Sequence, residues 1–77
     1  MVMNIDVELD TSGLQCPLPL LRTKKALAAM TRGQVLYVIA TDPGSVRDFK
    51  VFCKQTGNVL RGFEDKGGSF HFHIEKA

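Results

Sequence analysis

The chain changes from a strand-like to a helix-like pattern at one stretch of seven residues, Gly13-Leu14-Gln15-Cys16-Pro17-Leu18-Pro19. Prolines are tolerated in the first turn of a helix because its first backbone N–H groups have no partner within the helix. A proline also disfavours helical dihedral angles in the residue before it. The stretch therefore predicts a helix that begins at Pro17 or at Pro19, with Cys16 at or just before its start.

The position of Cys16 predicts a reactive thiol. The N-terminus of a helix lowers the pKa of a cysteine, because the thiolate meets free N–H donors and the positive end of the helix dipole. The basic residues Arg22, Lys24 and Lys25 follow within the same helix and act in the same direction. The alternative is a small buried apolar residue, as many free cysteines are. We favour a partly exposed thiolate at Cys16.

Length and composition restrict the class of protein. The chain of 77 residues predicts one domain, 1–77, and its net charge of +2 is too small to indicate nucleic-acid binding. It has no apolar run of the ~20 residues that a membrane span needs. The N-terminal segment lacks the basic start and apolar stretch of a signal peptide. We therefore expect a cytoplasmic protein that does not enter the membrane.

Apolar periodicity and turn residues define six elements in the order β-α-β-α-β-β. Either Asp42 or Ser45 is expected to cap the second helix. The order predicts an α/β two-layer sandwich, in which a mixed four-stranded sheet carries two helices on one face. The first strand is expected to turn Met3, Ile5, Val7 and Leu9 towards the core. The predicted elements are strand 3–9, helix 17–30, strand 34–40, a helix ending near 56, strand 58–65 and strand 69–75.

Three other residues suit ligand binding but are better explained by the fold. Cys53 shares an apolar helix face with Val46 and Phe49, so we expect it in the core. His71 and His73 alternate with apolar residues in the last strand and should face solvent. The sequence places no third ligand beside this pair. We expect no metal and no bound cofactor.

The pattern Gly-Leu-x-Cys-Pro-x-Pro at a strand-to-helix junction resembles the TusA/SirA-like sulfur-carrier family, and the similarity extends over nearly the whole chain. The matching positions around the cysteine are Gly13, Leu14, Pro17, Leu18 and Pro19. A second block agrees with the family at Gly33, Ile39-Ala40, Asp42-Pro43, Arg47-Asp48 and Phe52-Cys53.

The resemblance implies that Cys16 accepts sulfane sulfur as a persulfide and hands it on, as a relay rather than a multi-residue catalytic site. The implied donor is a protein such as a cysteine desulfurase or a rhodanese. The implied acceptor is a further protein, leading to 2-thiouridine in transfer RNA or to another sulfur-trafficking pathway. Leu18 stands where some family members have an acidic residue, and this bears on the choice of partner.

Two questions remain open at the level of sequence. The basic residues Arg22, Lys24 and Lys25 form either a solvated helix face or a docking surface for an acidic partner, while direct RNA binding is disfavoured because aromatic residues are absent among them. The alternative function is a thiol redox or regulatory binding module that acts through Cys16. We expect a monomer in either case.

Overall fold

The computed structural model describes residues 4–77, which form a four-stranded sheet and two helices. The predicted element order and fold class are confirmed. None of the helices in this range is long and apolar enough to cross a membrane. The elements are β1 (Val7–Thr11), α1 (Leu18–Ala28), β2 (Val35–Ala40), α2 (Gly44–Thr56), β3 (Val59–Asp65) and β4 (Phe70–Glu75).

The strand order in the sheet is β1-β2-β4-β3. β1 pairs with β2 in parallel, so the chain between them must cross over, and α1 lies in this connection. β4 runs antiparallel to both β2 and β3, and it closes a hairpin with β3. The two central strands are therefore β2 and β4, as the apolar run of β2 predicts.

The core lies between one face of the sheet and the two helices. Leu36 and Val38 of β2 and Phe72 of β4 are fully buried. Leu27 of α1 and Phe49 of α2 cover them, and the rings of Phe49 and Phe72 lie with centroids 4.4 Å apart. Cys53 is 6% exposed and belongs to the same cluster, so its predicted core position is confirmed.

The opposite face of the sheet carries His71 and His73, as the alternation in β4 predicts. Both are half-buried rather than freely exposed, because the Tyr37 hydroxyl hydrogen-bonds to His71 Nδ1 and the Tyr37 ring packs on His73. A register shift between Leu60 and Gly62 marks a bulge in β3. A Cβ atom at Gly62 would lie 3.4 Å from His73 Nδ1, so the glycine makes room for this ring.

The first strand lies further along the chain than the alternation predicts. Met3 lies outside the described residues. Ile5 and Val7 are 40% and 36% exposed, whereas Leu9 is half-buried and Thr11 is buried. Ile5 precedes β1 and is exposed, so the prediction that it faces the core is wrong. Val7 does lie on the core side of the sheet, opposite the buried Leu36, but it stays partly exposed because β1 is an edge strand. The parallel register with β2 decides the position, because it continues as far as Thr11, which lies opposite Ala40.

The helix boundaries also differ in detail. α1 begins at Leu18, between the two predicted starts, and ends at Ala28 rather than Met30. Neither Asp42 nor Ser45 caps α2, because the N-cap residue is Pro43 and no side chain caps it. Ser45 lies inside the helix and is buried. α2 ends at Thr56 and is capped by Gly57 with φ +81°, as predicted, because this left-handed conformation favours glycine.

The Phe49–Phe72 contact should carry much of the stability of the fold. We expect Phe49→Ala to lower the free energy of unfolding by about 3–5 kcal/mol, because it leaves a cavity in a fully buried site. Phe63→Ala is the matched control. Phe63 is 37% exposed, so its loss should cost less than about 2 kcal/mol. Urea unfolding followed by circular dichroism measures both, and equal losses would contradict this assignment of the core.

Candidate functional site

The site lies at the edge of the sheet where β1 and β2 end. Because the two strands are parallel, the loops that follow Thr11 and Ala40 leave from the same edge. The loops are joined directly, since the Gly13 N–H donates to Thr41 Oγ1 over 2.8 Å. Gly13 also has φ +82°, a conformation that favours glycine. The first loop carries Cys16, and the second leads into α2.

Cys16 is exposed and lies just before the first turn of α1. Its thiol donates a hydrogen bond to Asp48 Oδ2 over 2.9 Å. The start of α2 lies close by, because a Cβ atom at Gly44 would lie 3.9 Å from the Cβ of Cys16 and 3.1 Å from Asp42 Oδ2. The thiol therefore stands in a corner formed by the starts of both helices and bordered by two carboxylates.

The carboxylates determine the protonation of the thiol. The hydrogen bond to Asp48 raises the pKa of Cys16 above its ordinary value, and the negative charges of Asp48 and Asp42 act in the same direction. The carboxylates therefore act against the reactive thiolate that the sequence predicts at Cys16. The prediction that Cys16 is exposed is confirmed.

The start of α1 offers the sulfur few hydrogen-bond donors. Pro17 and Pro19 have no N–H group, and the Leu18 N–H donates to the Gln15 carbonyl over 2.9 Å. The Leu21 N–H is taken by the Pro17 carbonyl within the helix. The same prolines that indicate a helix start thus remove two of the N–H donors that could lower the pKa of Cys16.

The remaining motif residues support the loop and its rim. Leu14 is half-buried, and its N–H donates to the Thr11 carbonyl. Pro19, in the first turn of α1, is buried. Leu18 and Leu21 are 43% and 50% exposed beside the cysteine loop. An accessible apolar surface therefore adjoins the thiol.

A groove of about 310 Å³ runs between the two helices next to the site. Lys24 lines it and lies over the ring of Phe52, with Nζ 5.7 Å from the ring centroid. Arg22 and Lys25 are exposed on α1 but do not line the groove. Only one of the three basic residues is thus brought to the cleft. The groove is lined by Leu20, Lys24, Arg47, Asp48, Val51, Phe52 and Gln55.

Neither Cys53 nor the pair of His71 and His73 belongs to this site. Burial raises the pKa of Cys53, which keeps that thiol neutral. Among residues 4–77, no three histidine, cysteine or acidic side chains gather closely enough to hold a metal ion. Sequence reasoning noted Asp48 only as a family position. The contact could have been anticipated from the parallel pairing of β1 with β2, which brings the loop of Cys16 and the start of α2 to one edge of the sheet.

Comparisons with known proteins agree on one family. The family model described as sulfurtransferase TusA matches residues 7–76. The chain is 64% identical to the sulfur carrier protein TusA of Allochromatium vinosum, covering 96% of this chain and 97% of that protein. It is 56% identical to a putative sulfur carrier protein of Neisseria meningitidis serogroup A, covering 87% and 90%.

A solved structure shows the same fold. The crystal structure of a SirA-like protein from Desulfitobacterium hafniense matches with a TM-score of 0.79 at 27% identity. The match covers 90% of this chain and 95% of that one.

The raised pKa of Cys16 predicts the pH dependence of its alkylation. In a Cys53→Ala variant, the rate of reaction with iodoacetamide should rise with pH as the thiol ionises. We expect its inflection at a higher pH in the folded protein than in the same chain unfolded in urea, because only the folded chain holds Asp48 against the sulfur. An inflection at a lower pH in the folded protein would show instead that the helix start dominates.

Proposed function

The chain belongs to the TusA sulfurtransferase family, and we propose that it carries sulfur as a persulfide on Cys16. The observation that carries this proposal is an exposed thiol, in the Cys-Pro-x-Pro stretch, at an edge where a second protein has access. The donor is a protein such as a cysteine desulfurase or a rhodanese, and the acceptor is another protein. We further propose that the relay works in the cytoplasm, where free thiols persist.

The chemistry is an exchange between a thiol and a persulfide. Cys16 Sγ loses its proton and attacks the outer sulfur of the donor persulfide. A sulfur–sulfur bond forms at Cys16 while the bond within the donor breaks, and the donor cysteine leaves with the electron pair and takes up a proton. One thiol and one persulfide yield one persulfide and one thiol, so the step needs no oxidant or reductant. The same exchange, with Cys16 as the donor, delivers the sulfur.

The surroundings of Cys16 suit contact with a protein rather than with a small molecule. The thiol lies beside exposed leucines and next to the groove between α1 and α2. We propose that the basic side of α1, formed by Arg22, Lys24 and Lys25, docks an acidic surface of a partner. We propose that the acceptor passes the sulfur on to 2-thiouridine in transfer RNA or to another sulfur-trafficking pathway.

The redox alternative has less support. Cysteines that sense oxidation combine a low pKa with a nearby resolving thiol. Asp48 raises the pKa of Cys16, and the second cysteine of the chain, Cys53, is buried in the core. Both observations favour a sulfur that reacts with a docked partner over one that reacts with dissolved oxidants.

Intact mass spectrometry tests the carrier function directly. The protein is incubated with a cysteine desulfurase and cysteine, beside Cys16→Ser and Cys53→Ala. The parent and Cys53→Ala should each gain one sulfur atom that dithiothreitol removes, whereas Cys16→Ser should gain none. A gain of sulfur by Cys16→Ser would contradict the proposal. If the parent gains no sulfur from this donor or from a rhodanese with thiosulfate, the function is also wrong.

Charge reversal tests the docking surface. Lys24→Glu combined with Lys25→Glu should raise the desulfurase concentration needed for half-maximal loading by about three- to tenfold, since charges at an interface rim chiefly change the association rate. Lys66→Glu combined with Lys76→Glu changes the net charge by the same amount outside the helices, so it is the matched control and should load like the parent. An equal effect of the control would assign the change to net charge alone.

A further inference from the structure

We propose that Asp48 is a latch that keeps Cys16 in its neutral thiol form until a partner docks. The contact between the two side chains is independent of the proposed function. The role of the latch in sulfur transfer rests on that function. The carboxylate touches the reacting sulfur itself, so Asp48 acts on the thiol directly rather than through an intermediary residue.

The geometry of the hydrogen bond shows which form of the Cys16 thiol the contact favours. The thiol is the hydrogen-bond donor and Asp48 Oδ2 is the acceptor, at 2.9 Å. A neutral thiol satisfies a carboxylate, whereas a thiolate would place a second negative charge against it and lose the hydrogen bond. Asp42 adds to the repulsion, because its Oδ2 lies at the start of α2 beside the same loop. Both carboxylates thus favour the protonated sulfur.

The positive groups around the site do not cancel this effect. Arg47 and Lys24 line the groove beside Asp48, and Arg22 and Lys25 stand on the exposed side of α1. None of them pairs with Asp48. The ion pair found within residues 4–77 joins Arg61 and Glu75, which belong to β3 and β4. The Asp48 carboxylate is therefore held by the thiol and by no cation of the described chain.

This arrangement predicts which chemical group the sulfur donor must place next to Asp48. A positively charged side chain of the donor, placed against Asp48, compensates its charge and competes for its oxygen. The thiol can then ionise and attack the donor persulfide, and its proton finally resides on the departing donor sulfur. Atoms and electrons balance as in the exchange above. The thiol of the free carrier is less reactive, and docking makes it the stronger nucleophile.

The latch is tested on the protein alone, with iodoacetamide as the probe. In the Cys53→Ala background, Asp48→Asn removes the charge, and Glu64→Gln removes one charge on β3, at the other edge of the sheet from β1. Asp48→Asn should alkylate about fivefold faster at neutral pH, the size expected when one like charge is removed near an exposed ion. Its inflection should move to lower pH, whereas Glu64→Gln should match the parent.

Two further variants separate the effect of the lost charge from the effect of misfolding. Asp48→Ser also removes the charge while it keeps a hydrogen-bond acceptor, and Asp48→Glu retains the carboxylate. Circular dichroism selects the folded variants. The proposal requires the folded uncharged variants to share the faster reaction and Asp48→Glu to stay closer to the parent. Profiles of Asp48→Asn and Asp48→Ser that coincide with that of Glu64→Gln would overturn it.

Sulfur loading separates the latch from the proposed function. If a cysteine desulfurase releases the latch on docking, Asp48→Asn should increase the rate of sulfur loading by a smaller factor than it increases the rate of alkylation. Loading that accelerates by the same factor as alkylation would overturn release by the partner. Alkylation needs no sulfur donor. A chain that never accepts sulfur would therefore refute the carrier function and leave the measurement of the latch intact.

Discussion

The parallel pairing of β1 with β2 is the interaction on which the site depends. It brings the ends of two strands, far apart in sequence, to one edge of the sheet. Two hydrogen bonds fasten this edge: Thr11 Oγ1 donates to the Ile39 carbonyl over 2.6 Å, and the Gly13 N–H donates to Thr41 Oγ1. The cysteine loop and the start of α2 are therefore held together by the strand pairing and these two threonine hydroxyls, independently of the contact between Cys16 and Asp48.

Within this frame, two electrostatic influences on one sulfur compete. The dipole of α1 favours an anion, but it acts through N–H groups that the prolines and the Gln15 turn leave few in number. The carboxylate of Asp48 favours a neutral thiol and is in direct contact with it. The hydrogen bond to Asp48 acts on the sulfur at contact distance, whereas two positions at the start of α1 have no N–H group and the Leu18 and Leu21 N–H groups are already paired. The start of a helix should therefore be judged by its free N–H groups and not by its position alone.

The parts of the fold that the sequence predicts well are those decided locally. The apolar run of β2, the alternation of β4 and the glycine that ends α2 each carry their own signal. β1 is less predictable, because it is an edge strand whose position depends on the register with β2. The contact of Cys16 with Asp48 joins residues 32 apart and requires α2 to be docked. No local pattern contains that information.

The burial of Cys53 prevents this thiol from reacting with a persulfide elsewhere on the same chain. A persulfide is normally at risk from a second thiol of the same chain, which can displace hydrogen sulfide and leave an internal disulfide. Here the second thiol is neutral and enclosed among Phe49, Phe72 and their neighbours, so it cannot attack a sulfur at the exposed edge without opening the core. If Cys16 carries the sulfur as proposed, the protein holds a single equivalent, which leaves only by way of another molecule.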